Sequence, residues 1–295
     1  MPATLSVMST AIDQLLGLLD LEVIEVDVFR GGSPAEERIR VFGGQVAAQA
    51  LVAAGRTVAD GTGVERPVHS LHAYFLRPGD PRVPIVYMVD RIRDGGSFTT
   101  RRVAAIQGGE AIFHLSASFH VPETGVNHQA PMPTVPDPET LPTWAEQMAP
   151  YAERLGTWYS RPRPIDIRHV GDPLRSAPDA LLRPPHHQLW LRADGRLPDT
   201  PLLHACVVAY ASDMTLLDTV MLPHGLVWWE SGGMQVSLDH AMWFHRPFRA
   251  DDWLLYDQSS PTAAGARGLA TGTIYTRDGT LAVSVVQEGL IRTGR

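Results

Sequence analysis

Asp213 stands in a setting where a carboxylate is costly. It follows Ala205-Cys206-Val207-Val208-Ala209-Tyr210-Ala211-Ser212, a run that is apolar at nearly every position. An unpaired carboxylate buried in such a segment carries a desolvation penalty. Held beside a water, it can act as a general base; the plain alternative is that it pairs with an arginine or a backbone donor. Gln287 follows Val283 and Val285 at the period of a strand, so all three share one face. The valines mark that face as the core side, and a buried amide must find partners. A water next to Asp213 would supply them, as would backbone groups. Ser237 carries little signal by itself, because serines near strand starts are common.

Other reactive types read more plainly. Gly43-Gly44-Gln45 opens a helical segment, where free N–H groups and the helix dipole favour an anion; glycines there also simply permit a turn and tight packing. Cys206 is the only cysteine, which excludes an internal disulfide and a multi-cysteine metal site. On an apolar helix it reads as a small core residue. His72, His240 and His245 lack carboxylates at ligand spacing and read as packed or surface histidines. The pair Arg101-Arg102 could meet phosphates, but paired arginines on a strand usually face solvent. All 25 basic residues are arginine. Without lysine there is no Schiff base and no P-loop. A net charge of −7 argues against wrapping nucleic acid, and no apolar run approaches the ~20 residues of a membrane span.

The elements that must hold these residues come in two copies. His69-Ser70-Leu71-His72-Ala73-Tyr74-Phe75-Leu76-Arg77-Pro78 resembles Ser237-Leu238-Asp239-His240-Ala241-Met242-Trp243-Phe244-His245-Arg246-Pro247. Arg77 and Arg246 stand 169 residues apart, and Gly109 and Gly279 stand 170 apart. Each copy then runs into a strand, Ala111–His120 or Thr280–Ile291. Upstream lie two helices apolar on nearly every side, Gln45–Val58 and His204–Val220, and such helices are buried. Strand-like segments precede them, Val23–Phe29 and Arg38–Phe42 in one copy, Ile165–Val170 and Gln188–Arg192 in the other. Each half thus reads strand, strand, buried helix, then several antiparallel strands. One sheet wrapped around one helix satisfies that order, which is the hotdog arrangement. The expected fold is α+β, two tandem hotdog domains forming a double hotdog. Residues 1–121 and 161–295 are the domains, and 122–160 is a proline-rich linker over the surface with a helical turn near Trp144–Leu155.

The phrases Val41-Phe42-Gly43-Gly44-Gln45-Val46, Tyr74-Phe75-Leu76-Arg77-Pro78-Gly79-Asp80, Arg101-Arg102-Val103-Ala104-Ala105-Ile106-Gln107, Asp239 to Pro247 and Val286-Gln287-Glu288-Gly289 together resemble the acyl-CoA thioesterase II family of double-hotdog enzymes. They span almost the whole chain outside the linker. The resemblance implies hydrolysis of fatty acyl-CoA to free acid and CoA, with water activated by Asp213, Ser237 and Gln287. Serine stands at Ser237 where some members carry threonine, and the hydroxyl is kept. No cofactor or metal is implied. The expected partners are the acyl-CoA substrate and further copies of the chain, as a dimer or tetramer, with no nucleic acid and no stable membrane insertion. With neither signal peptide nor lipidation tag evident, the expected location is the cytoplasm. The alternatives are a non-catalytic acyl-CoA-binding hotdog module and a hotdog dehydratase. A serine hydrolase of the α/β type would want Gly-x-Ser-x-Gly, which the sequence lacks.

Overall fold

The computed structural model describes residues 10–34, 40–58, 63–171, 183–226 and 234–292. Within them, thirteen strands form one antiparallel sheet. The first half contributes β1 (Glu22–Glu25), β2 (Val28–Gly31), β3 (Val68–Phe75), β4 (Ile85–Asp94), β5 (Phe98–Gln107) and β6 (Glu110–His120). The second contributes β7 (Ile165–His169), β8 (His186–Ala193), β9 (Met234–Ser237), β10 (Asp239–Phe244), β11 (Leu254–Ala264), β12 (Arg267–Thr276) and β13 (Leu281–Arg292). The order is β1-β2-β4-β5-β6-β3-β10-β13-β12-β11-β8-β7, with β9 also on β13. The halves meet where β3 pairs with β10, Ala241 lying opposite His72. That seam leaves neither half with a free edge at the centre.

Helix α1 (Ala11–Leu19) opens the described chain with a capping box between Thr10 and Asp13. Helices α2 (Gly43–Arg56) and α5 (Pro201–Ser212) are the central pair. Residues 44–54 of α2 and 204–212 of α5 are all buried, as their all-round apolar character predicts. Gly44 lies against Tyr210 at one end of the pair, and Gly55 against Leu202 at the other. The helices therefore run antiparallel, the start of α2 beside the end of α5. Buried polar groups are satisfied locally: Gln49 accepts from Tyr87 Oη at 2.6 Å and donates to the Leu18 carbonyl at 2.7 Å.

Three segments differ from the expectation. The single strand expected over Val23–Phe29 is a hairpin, β1 and β2, turned at Asp27 with φ of 60°, a conformation aspartate tolerates better than most residues. In the segment 38–42, residues 40–42 are irregular and Phe42 caps α2, while 38 and 39 lie outside the described residues. The helix expected to reach Val220 ends at Ser212; α6 (Asp218–Met221) begins after an intervening turn. The Ser212 hydroxyl lies 3.1 Å from the Ala209 carbonyl, the kind of back-bonding that weakens a helix end.

The linker does more than pass over the surface. Trp190 Nε1 donates to the Pro136 carbonyl, and Trp253 Nε1 to Glu139 Oε1, both at 3.0 Å. Met132, Val135 and Leu141 cover an apolar cluster of Trp190, Trp253, Leu255, Tyr275 and Leu281 on the second half. Short helices α3 (Trp144–Met148) and α4 (Ala152–Leu155) follow, where the Arg163 guanidinium lies over the Trp144 ring at 3.4 Å and the Trp158 ring at 4.1 Å.

Candidate active site

The close approach of α2 and α5 creates the site. Asp213 is the C-cap of α5, and the two glycines at the start of α2 face it. A Cβ on Gly43 would lie 2.8 Å from Asp213 Oδ2, and one on Gly44 would lie 2.5 Å from the Tyr210 carbonyl. At Gly44 the neighbour is backbone and only hydrogen fits, while at Gly43 a Cβ would displace the Asp213 carboxylate or the Phe75 ring. The glycine pair thus serves packing, and that packing brings the N–H-rich end of α2 to a carboxylate. A hydrogen bond from the Gly44 backbone stabilises the ionised Asp213.

Two side chains complete the surroundings of Asp213. Ser237 Oγ donates to Oδ1 at 3.2 Å, and Gln287 Nε2 donates to the same oxygen at 2.5 Å. The structure therefore brings together all three residues singled out from the sequence. Burial pushes the Asp213 pKa up to about 6, against the opposing pull of Gln287, Ser237 and Gly44. The carboxylate keeps some accessible surface only because it borders a cavity.

Ser237 reaches this position through a bulge. It lies opposite Gly289, while Ala241 lies opposite Val286. Four steps along β9 and β10 thus match three along β13, leaving one extra residue near Leu238. The extra residue shifts the alternation, so that Ser237 and His240, three apart, both reach the α5 terminus. Asp239 Oδ1 accepts from the Glu288 N–H at 2.7 Å beside the irregularity. Ser237 is the last residue of β9.

The cavity holds about 810 Å³. Asp213 and Ser237 line it, with Phe42, Phe75 and Tyr210 nearby and Trp144 and Met148 of the linker at another wall. Gln287 is fully buried and supports the carboxylate from behind. Sequence reasoning missed Asp218, a second carboxyl on this cavity, raised to about 7 by burial and held by the Gln235 side chain. Its signal was available: an acid within Met214-Thr215-Leu216-Leu217-Asp218-Thr219-Val220-Met221.

The other candidates take structural places. Cys206 is fully buried, with its thiol pKa far above the ordinary value through desolvation, so it is no nucleophile at neutral pH. His72 packs edge-on against Trp243, and His245 Nε2 lies 2.9 Å from Ser284 Oγ. No cluster of metal-ligating side chains occurs among the described residues. Arg102 pairs with Asp90 at the surface, but Arg101, expected to face solvent, is buried. Its Nε donates to Thr57 Oγ1 at 2.8 Å and a terminal nitrogen to the Thr57 carbonyl at 3.0 Å.

Arg101 occupies the corresponding place in the first half. Thr57 caps α2 as Asp213 caps α5. Gln287 lies opposite Ala270, and Ala117, which stands 170 residues before Gln287, lies opposite Arg101. In each half a long polar side chain from a central strand pair reaches a helix C-cap. In the second half it meets a carboxylate beside a cavity; in the first, a guanidinium fills the position.

Comparison with known proteins adds to this geometry. The family model described as "Acyl-CoA thioesterase" matches residues 180–290, and "Acyl-CoA thioesterase N-terminal domain" matches residues 33–120. The chain is 42% identical to acyl-coenzyme A thioesterase 8 of Rattus norvegicus, over 94% of this chain and 88% of that protein. It is 38% identical to acyl-CoA thioesterase 2 of Haemophilus influenzae, over 97% and 99%. The crystal structure of an acyl-CoA thioesterase II from Mycobacterium marinum superposes with a TM-score of 0.77 at 45% identity, covering 95% of this chain and 98% of that one.

Proposed function

The chain belongs to the acyl-CoA thioesterase family, and from that premise we propose that it hydrolyses fatty acyl-CoA to the free fatty acid and CoA at Asp213. The observation that carries this reading is a buried carboxylate at a cavity wall, bonded by Ser237 and Gln287 and raised to about 6. Such a group is ionised at neutral pH yet basic enough to accept a proton, the property a general base needs.

A thioester asks little of its enzyme at the leaving group. Its thiolate has a conjugate acid near pKa ~8.5 by comparison with cysteine. The tasks are to orient a water, remove its proton and stabilise the oxyanion. In this reading a water binds Asp213 on Oδ2, beside Ser237, whose hydroxyl is on Oδ1. Asp213 takes one proton as the oxygen bonds to the thioester carbon, and the carbonyl electrons move onto its oxygen. In this reading backbone N–H groups opening α2, other than that of Gly44, which bonds Asp213, supply the oxyanion donors. When the carbonyl re-forms, the C–S bond breaks, and Asp213 returns its proton to the thiolate or to solvent. Gln287, behind the carboxylate, holds Oδ1 and leaves Oδ2 beside Gly43 for the water.

We read residues 1–121 and 161–295 as the two hotdog units, 122–160 as their linker, and the cytoplasm as the location. No described helix is long and apolar enough to cross a membrane. Edge strand β1 exposes Val23 and Ile24, which favours a homo-oligomer. The decisive experiment is release of CoA thiol from palmitoyl-CoA, followed with a thiol reagent, for the wild type and Asp213→Asn. Wild-type turnover with loss of at least 100-fold in the variant is expected, since the amide keeps the shape but cannot serve as the base; general-base catalysis contributes ~10²–10⁴-fold. Binding of palmitoyl-CoA without turnover by the wild type would instead make the chain an acyl-CoA-binding module.

A further inference from the structure

Behind Gln287 lies a group with no part in the chemistry just described. Extending the β10–β13 register one step beyond Ala241 and Val286 sets His240 across from Gln287. Both side chains are completely buried. His240 Nε2 lies 2.9 Å from Ser212 Oγ, on the residue preceding Asp213. That leaves Gln287 Oε1 and His240 Nδ1, each without a hydrogen bond of good geometry, although the Gln287 side chain is near enough to favour a proton on the imidazole. Two orphaned atoms on neighbouring strands, one able to accept and one able to donate, complete each other.

We propose that His240 is a positioning residue for the hydrolysis: its Nδ1–H fixes the Gln287 amide so that an N–H, and not the carbonyl oxygen, faces Asp213. Elimination supports this polarity. An ionised Asp213 accepts only, so the Gln287 atom 2.5 Å from Oδ1 must be the nitrogen. Oε1 then faces away from water and requires a donor. A proton on His240 Nε2 would leave Nδ1 as an acceptor facing an acceptor. With its proton on Nδ1 the ring offers Nε2 as an acceptor to the Ser212 hydroxyl, whose single hydrogen is shared between this nitrogen at 2.9 Å and the Ala209 carbonyl at 3.1 Å; Nδ1–H donates to Oε1, and Gln287 Nε2–H donates to Asp213. Burial keeps the imidazole neutral, with its pKa lowered to about 4, so the ring supplies one donor and one acceptor.

The other ionisable groups around Asp213 and its cavity, among the described residues, are Tyr256 of β11, which feels its charge, Asp218 of α6, Tyr210 of α5, and Arg40, Arg77, Arg163, His169 and His187 on the cavity walls. Oδ1 itself receives Ser237 Oγ and Gln287 Nε2. Without the His240 donor, the amide is free to turn its oxygen toward the carboxylate. Asp213 then loses a stabiliser of its charge, and the acid limb of activity moves to higher pH.

This inference rests on Asp213 as the base, and its test separates the two. The tautomer is read on the intact wild-type chain by two-bond ¹⁵N–¹H NMR of ¹⁵N-histidine, the His240 signals being identified by their absence from His240→Asn. A neutral ring with its proton on Nδ1 is expected; a proton on Nε2 overturns the proposal. In kinetics, His240→Leu should move the acid limb of kcat/KM for palmitoyl-CoA about one pH unit higher, a ~10-fold loss on that limb, with KM little changed. His240→Asn, which can return an amide donor near Nδ1, should restore most of the shift. In Gln287→Ala the His240→Leu change should add nothing further. An unmoved acid limb in a folded His240→Leu protein, or full additivity with Gln287→Ala, refutes the positioning role. Wild-type activity in Asp213→Asn would refute the base itself and leave the tautomer result standing.

Discussion

Gln287 Nε2 stands 2.5 Å from Asp213 Oδ1, joining the last strand to the end of the second buried helix across 74 residues. The same oxygen receives Ser237 Oγ at 3.2 Å. Two donors on one carboxylate oxygen oppose the desolvation that raises its pKa, and the balance lies near 6.

Both activity and stability should therefore change with pH through Asp213. The acid limb of kcat/KM should fall tenfold per pH unit below about 6 as the base is protonated. Stability should move the other way. The folded pKa is above the ordinary 3.8, so the folded chain retains a proton that the unfolded chain has released. Stability declines as pH rises from about 4 through 6, and the full penalty, on the order of 3 kcal/mol, is present above that window. Asp213→Asn removes the penalty. Its melting temperature should exceed that of the wild type by a few degrees at pH 8, with the gap closing toward pH 4. Equal melting at pH 8 would show that ionised Asp213 carries no such cost.

Ser237 should position water and never carry the acyl group. Ser237 Oγ bonds Asp213 Oδ1, and His240, the nearest histidine in sequence, is engaged with Ser212; with Asp213 acting on water, no histidine is placed to make Ser237 a nucleophile. Ser237→Thr should remain active; Ser237→Ala should lose about 10-fold or more of kcat while still binding acyl-CoA. Reactions quenched during turnover of a slow acyl-CoA should give only unmodified protein by mass spectrometry. An acyl group trapped on Ser237 would reassign Asp213 as a supporting residue.

Gly44→Ala should be more damaging than an alanine in a helix normally is. Its Cβ would stand 2.5 Å from the Tyr210 carbonyl, a backbone atom that can retreat only if α5 moves. Overpacking of this kind costs about 1–3 kcal/mol, and the displaced α5 carries Asp213 with it. Thermal melting and turnover should fall together. A fully active variant of wild-type stability would show that the helix pair is looser than the structure indicates.

The first half should not stand alone. A fragment ending near Pro136 uncovers β3 where β10 pairs with it and α2 where α5 packs, so it should precipitate or self-associate. A monodisperse, well-folded monomer in sedimentation experiments would contradict this.

Much of this arrangement is legible in the sequence because burial leaves a mark on composition. The all-round apolar character of α2 and α5 announces their position, and the alternation Val283, Val285, Gln287 announces a buried amide. Ser237 is different. Its orientation depends on the bulge near Leu238, and no local pattern marks a one-residue change of register, so only the family resemblance singled it out. Arg101 was misjudged for a related reason. A strand arginine is exposed or buried according to what lies beneath its face, and here that is the end of α2, distant in sequence. Asp213 lay one residue past its helix, since the stop at Ser212 comes from side-chain bonding without a glycine or proline.

In a pair of separate, identical hotdogs every substitution would be expressed twice, so a side chain suited to catalysis would also occupy the equivalent corner of the other subunit. Fusion removes that constraint. With Arg101 bound to Thr57 in one half and Gln287 bound to Asp213 in the other, the two halves differ at equivalent corners, one a buttress and the other, on the proposed mechanism, the catalyst. On the proposed mechanism the stoichiometric consequence among the described residues is one turnover centre for each polypeptide.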